Sequence, residues 1–283
     1  MDALAANAEL ALLLEVTGTP KPGNVDRRRD HDSLRFEHFV AGAVQARPGL
    51  ELAANGASVG VAFERAVAGM ANQRGGNTQF GALLLLCPLV RAARRDLAQP
   101  VCETVVEETT VADAAAFYRA FEHVDVHVGD PPPGWDRFDV RRGAEAISAI
   151  EAEGVTLADV MAAGAPTDDV AREWTVGFER SFWVAEQIAA ASGPIERRAA
   201  RGYLAALADR ADSFVATTHD ESVAKRTTER AAELQDVNAL KTDPEAVETF
   251  AEDLVRDGIN PGTTADLTAA GLFIALEREA ISV

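Results

Sequence analysis

Apolar residues recur at helical spacing along almost the whole chain. Val247, Phe250, Ala251, Leu254 and Val255 follow an i, i+3, i+4, i+7 pattern, the mark of a helix with one buried face. Asp243-Pro244 supplies its start, an N-cap followed by proline at the first helical position. Comparable stripes predict helices over about 3–16, 33–46, 50–71, 77–96, 111–122, 168–191, 195–209, 220–235 and 264–280. Period-two alternation is best at 124–128 (VDVHV), which is short and closed by the Pro/Gly run 129–134. The pattern predicts an all-α bundle of about ten helices, a single domain over residues 1–283. No internal repeat is visible. Residues 129–134 and the charged stretch 136–142 read as an internal loop rather than a linker.

Composition narrows the setting. A chain of 283 residues with 47% hydrophobic content can bury a substantial core. The longest apolar run, 81–90 (GALLLLCPLV), is too short to span a bilayer and contains Pro88. The first residues, MDALAANAEL, lack the basic start of a signal peptide. A soluble, cytoplasmic protein is expected, with no membrane partner. Cys87 and Cys102 give neither a disulfide framework nor a metal spacing, so buried thiols are expected. The formal net charge is −18, and Lys21, Lys225 and Lys241 are the only lysines. Acidic excess with depleted lysine resembles halophilic proteins, where charge serves solubility. It argues against a nucleic-acid partner, which needs a basic footprint. Any polyanionic ligand must be met locally, by a few Arg or Lys, helix N-termini or a metal.

Four segments carry candidate chemistry. In the first, Glu15-Val-Thr-Gly-Thr19-Pro20-Lys21-Pro22-Gly23-Asn24-Val25-Asp26-Arg27, two prolines extend the backbone around Lys21 and a tight turn brings Asp26 close. A lysine on a stiff loop suits a phosphate, while Glu15 and Asp26 suit a divalent cation bound to it. In the second, Arg74-Gly75-Gly76-Asn77-Thr78-Gln79-Phe80-Gly81, paired glycines precede an apolar helix that Asn77 or Thr78 can cap, which makes an anion site. The third, His219-Asp220-Glu221-Ser222-Val-Ala-Lys225-Arg226, starts a helix at Asp220. In the fourth, Asn260-Pro261-Gly262-Thr263-Thr264-Ala-Asp266, a turn leads into a helix whose amides and dipole suit a phosphate. Asp266, in the first turn, favours the dipole or binds a metal. Each segment also reads as an ordinary turn with a capped helix. The histidines show no metal-ligand spacing, and only His31, between Asp30 and Asp32, is placed near a site. Trp135, Trp174 and Trp183 are expected as core or loop anchors. P-loop, Rossmann and nucleophile-elbow motifs are all missing.

These four segments, in this order, resemble the triphosphoribosyl-dephospho-CoA synthase family. Its TPKPGLVDR-like motif reads TPKPGNVDR at 19–27, its NTHKG-like motif reads NTQFG at 77–81, and its SPGGSADLLA-like motif reads NPGTTADLTA at 260–269; its later Asp…Arg motif is matched to Asp220 and Arg226. The family's His-Lys is Gln79-Phe80 here, so Arg74 stands as the replacement cation. The His-x-Asp-Met element survives only as His31-Asp32-Ser33-Leu34, and the Arg-Gly-Glu-Ala element at best as 142–146.

The resemblance implies an all-helical transferase. The ribose C1 of ATP is attacked by the 2′-hydroxyl of dephospho-CoA, adenine leaves, and the product is a prosthetic-group precursor. It implies that Lys21, Asn77, Thr78, Gly262 and Thr263 cradle phosphate, with Arg74, Arg226 and Thr264 beside them. Glu15, Asp26, Asp220 and Asp266 would share Mg²⁺ binding and acid–base duty. ATP and dephospho-CoA are the expected small-molecule partners, and a homodimer is compatible with the sequence. Alternatives are a metal-dependent nucleotide or ADP-ribosyl hydrolase, a related transferase with another acceptor, and a non-catalytic nucleotide-binding protein.

Overall fold

The computed structural model describes residues 3–31 and 33–283. Asp32 of the 31–34 element lies outside the described residues. In chain order the helices are α1 (Ala3–Thr17), α2 (Phe36–Ala54), α3 (Val59–Met70), α4 (Phe80–Ala93), α5 (Gln99–Glu107), α6 (Val111–Ala120), α7 (Ile147–Glu153) and α8 (Leu157–Gly164). They continue as α9 (Asp169–Thr175), α10 (Glu179–Ala190), α11 (Ile195–Asp209), α12 (Ser213–Thr218), α13 (Glu221–Asp236), α14 (Ala239–Thr242), α15 (Pro244–Arg256) and α16 (Gly262–Glu277). Two short 3₁₀ pieces, Asp136–Phe138 and Val140–Ala146, precede α7. The class is all-α, as expected; among the described residues there is no strand, only the bridges Asp26–Arg29 and His31–Leu34.

Helices outnumber the ten expected, for local reasons. The stripe over 50–71 is broken after Ala54 by Asn55 and Gly56, whose φ is +93°. The stripe over 168–191 breaks at Gly177 and Phe178, both at positive φ. Short α5, α7 and α8 fall where no long stripe ran. The alternating segment 124–128 is extended but finds no partner strand, and Val124 simply packs into the core.

Helices α4 and α16 are buried along most of their length and, with one face of α1, form the centre. Helix α16 packs against α10, α1, α4 and α11. A helix apolar on all sides can lie only inside a protein. A second cluster, with Tyr203, Leu207, Leu234, Val247 and Phe250, joins α11, α13 and α15. A third joins Val16, Val25 and Phe39. Cys87 and Cys102 are buried free thiols. Among the described residues no helix is long and apolar enough to cross a membrane.

Helices α2 and α3 approach so closely that a Cβ on Gly49 would lie 2.3 Å from the Ala66 nitrogen and 2.5 Å from the Ala62 carbonyl. Backbone cannot yield as a side chain can. Gly49→Val is therefore expected to destabilise the fold by about 2–3 kcal/mol, read as a lower melting temperature; an unchanged value would refute the close packing.

Candidate functional site

The N-terminal loop closes over its own lysine. After α1, Lys21 is fully buried. Its ammonium donates to Glu15 and, at 3.0 Å, to Asn24 Oδ1. The Tyr203 ring lies 5.7 Å beneath it. Burial raises the Glu15 carboxyl above its ordinary value, and the Lys21 charge opposes that rise. Asp26 is enclosed by donors: Thr19 Oγ1, the amides of Lys21, Arg28 and Arg29, and the Arg29 guanidinium. An acid so fully bonded fixes the loop.

The opposite end of the chain meets this loop. Asn24 Nδ2 donates to Asn260 Oδ1 at 2.7 Å. Gly23 adopts φ +76°, and any Cβ there would stand 2.3 Å from the Ile259 carbonyl. The Tyr203 hydroxyl donates to the Pro22 carbonyl at 2.8 Å, with the Pro261 carbonyl at 3.5 Å. One buried phenol thus bridges both proline loops. Arg28 and Arg29 also pair with Glu248 on α15.

The first turns of α12 and α16 pair in antiparallel register. Asp212 Oδ2 accepts from the Thr264 amide and hydroxyl, each at 2.7 Å. Ser213 Oγ meets Thr263 Oγ1 at 3.0 Å. The Phe214 ring sits 3.2 Å from where a Cβ on Gly262 would be. The Gly262 amide turns back to the Asn260 carbonyl, and no acceptor among the described residues takes the Thr263 amide. This unpaired donor, on a buried residue, and the helix dipole leave this end suited to an anion.

Asp266 faces the start of α4. Its Oδ2 lies 2.1 Å from the place a Gly81 Cβ would occupy, so only glycine lets the helices meet there. Burial, and then the charges of Glu15, Asp212 and Asp168, push the Asp266 carboxyl well above the ordinary 3.8, with the nearby Ala82 amide opposing the rise. Asp266 is nonetheless half-exposed. Asp168 behaves alike: burial raises its carboxyl although the residue is exposed to solvent. Solvent thus reaches Asp168 freely and Asp266 in part.

Segment 77–81 therefore joins the two chain ends, with Asn77 Oδ1 accepting from the Phe80 amide at 3.0 Å. Gln79 is buried and donates to the Phe39 carbonyl, while Phe80 packs on Phe63 and Phe121. Arg74 is exposed and has no ion pair among the described residues. Segment 219–226 makes no hydrogen bond to the other three. Asp220 is an exposed N-cap of α13 bonded to Val223 and Ser222, and Arg226 reaches Ser222. No bond links them to Asp266 or Lys21. Among the described residues no cluster of three or more His, Cys, Asp or Glu side chains could hold a metal ion. A separate surface cleft of about 420 Å³ lies near the far end of α16, lined by Trp183, Glu186 and Arg278 among others, and none of the site residues reaches it.

Three residues in this arrangement escaped the sequence. Asp212 and Asp168 each precede a short helix as N-caps, a signal outweighed by the longer Asp220 segment. Tyr203 sits on a plain amphipathic stripe with nothing to mark its hydroxyl.

Two outcomes follow. Tyr203→Phe strands the Pro22 carbonyl, a loss of about 1–2 kcal/mol, and should lower both melting temperature and turnover; equal turnover would show that the bridge does not order the site. Asp266 holds its proton longer in the folded state than in the unfolded chain, so its ionisation costs stability as pH rises above 3.8. Asp266→Asn should raise the melting temperature at pH 7 and not at pH 4; a gain at both would contradict the assigned cause.

No curated protein matches the chain. A crystal structure from Archaeoglobus fulgidus, provisionally designated a triphosphoribosyl-dephospho-CoA synthase, superposes with a TM-score of 0.68 and 26% identity, covering 84% of this chain and 98% of that one. The CitG family, ATP:dephospho-CoA triphosphoribosyl transferase, matches residues 1–282. With the helical fold and the joined end segments, that match makes this chain a member of the ATP:dephospho-CoA triphosphoribosyl transferase family.

Proposed function

We propose that the chain transfers the triphosphoribosyl group of ATP to the 2′-hydroxyl of dephospho-CoA at the surface between the starts of α16 and α4. The observation that carries this reading is Asp266: a half-exposed carboxylate of raised proton affinity, held beside two helix N-termini that can receive phosphate. In the reaction the bond from ribose C1 to adenine breaks, and adenine leaves with the bonding pair. The acceptor oxygen bonds to C1 and loses its proton. Asp266 takes that proton and faces the positive charge that develops on the ribose; the departing adenine takes up a proton from water, and the Asp266 proton returns to solvent. A carboxylate whose proton affinity is raised by burial is a better proton acceptor, which suits the task.

The triphosphate is retained, and the Thr263 amide, Gly262, Asn77 and Thr78 would hold it, with Arg74 at the rim. Lys21 acts differently from a surface phosphate ligand. Buried against Glu15, its charge holds that carboxylate and the loop rather than an external anion. Asp26 likewise fixes the loop, and Asp220 and Arg226 lie outside the reacting group. Mg²⁺ would be held mainly by phosphate oxygens and water, with Asp266 as its protein ligand, and it would neutralise phosphate charge. The net charge of −18 with three lysines supports a working environment rich in salt.

Incubation with ATP, dephospho-CoA and Mg²⁺ should release adenine in step with a triphosphoribosyl product detected by mass spectrometry. Asp266→Asn should lower kcat by at least about 100-fold. Adenine release without acceptor would instead mark a hydrolase.

A further inference from the structure

The antiparallel pairing of α12 with α16 sets one residue apart. Asp212 and Ser213 spend their polar groups on Thr264 and Thr263. Phe214, next in register, has no hydrogen bond to give and stands beside Gly262 at the open end of α16. Its ring carbons Cδ1, Cγ and Cε1 lie 3.2, 3.5 and 3.7 Å from where a Gly262 Cβ would be. Any larger residue at 262 would cover the ring. Phe214 is only half-buried, unlike most aromatic rings of the core. The exposed imidazole of His127 meets it edge-on, with ring centroids 5.9 Å apart and planes at 87°. An edge-on neighbour fixes the ring without covering both faces.

We propose that Phe214, steadied by His127, is the stacking platform for an adenine ring in this site. The inference rests on reading the first turn of α16 as the phosphate end of the site. Stacking on an aromatic face suits any purine and adds affinity without hydrogen-bond readout. On that reading a nucleotide base lies near the first turn of α16. The donor's adenine is attached to the carbon under attack. The acceptor's adenine is attached to the carbon next to the one bearing the attacking hydroxyl. Both rings therefore lie within one sugar of the bond being made, and the platform can serve either.

The test compares Phe214→Leu, Phe214→Ala and Phe214→Trp with the parent protein. Calorimetric binding of ATP and of dephospho-CoA is measured separately, beside KM and kcat. Leucine keeps the apolar packing and removes the π face; tryptophan keeps the face. For Leu and Ala, the affinity for one nucleotide should fall about tenfold, and for Trp it should stay within about twofold of the parent. Loss confined to ATP places the donor's adenine on the ring, and loss confined to dephospho-CoA places the acceptor's. Unchanged affinity for both nucleotides in Phe214→Leu overturns the platform, as does full binding by Leu with loss only in Ala, the signature of mere packing. Melting temperatures identify any variant that fails to fold, in which case Phe214→Leu and Phe214→Trp decide. Because binding is read without turnover, a parent protein that binds ATP on Phe214 yet releases no adenine would sink the transferase reading and leave the platform standing.

Discussion

A helix apolar on every side forces its own ends into the protein, and that constraint organises this molecule. Nearly every residue of α16 is buried, so its N-terminal turn cannot send its amides to bulk water. Buried donors need partners. Asp212 supplies one, reaching from α12 to the Thr264 amide, and the Asn260 carbonyl supplies another. What remains unanswered among the described residues is the Thr263 amide. The candidate site is thus the remainder of a hydrogen-bond account that the fold otherwise closes. The same constraint gathers acids in one place, since Asp212 and Asp266 are carried by elements that must meet α16 or belong to it.

Charge in this region is stabilised by specific neighbours and little by water. Lys21 and Glu15 face one another with Asn24 completing the ammonium shell, and Tyr203 closes the pair from below. Removing one member of such a pair leaves an unmatched buried charge, which is far costlier than removing both. Asp26 is satisfied by five donors from its own loop. Asp266 differs: burial and the charges of Glu15, Asp212 and Asp168 raise its proton affinity, and among the described residues no cation pairs with it. The contrast separates carboxylates paired with a cation from one that is not.

The all-α class was legible because apolar periodicity is local, and α1, α4, α11, α15 and α16 begin and end close to the stripes that announced them. Breaks at Gly56 and at Gly177-Phe178 were not, because a stripe continues through a turn when the residues on both sides face the same core. The end segments were legible as unusual from their crowding of proline, glycine and asparagine. Their meeting was not, since nothing in residues 19–27 specifies Asn260 as a partner. Asp220 looked like a site residue because its local pattern is strong; Asp212 looked ordinary because its role comes wholly from Thr264, far away in sequence.

The bond between Asn24 and Asn260 spans 236 positions, and it has a consequence for how the protein comes to exist. During synthesis the lysine loop emerges before its partner and waits until residue 260 has been made. Residues 262–277, which follow, supply much of the hydrophobic centre. A chain cut before residue 260 lacks both the partner of Asn24 and that helix, so the loop and the core are completed by one stretch of sequence.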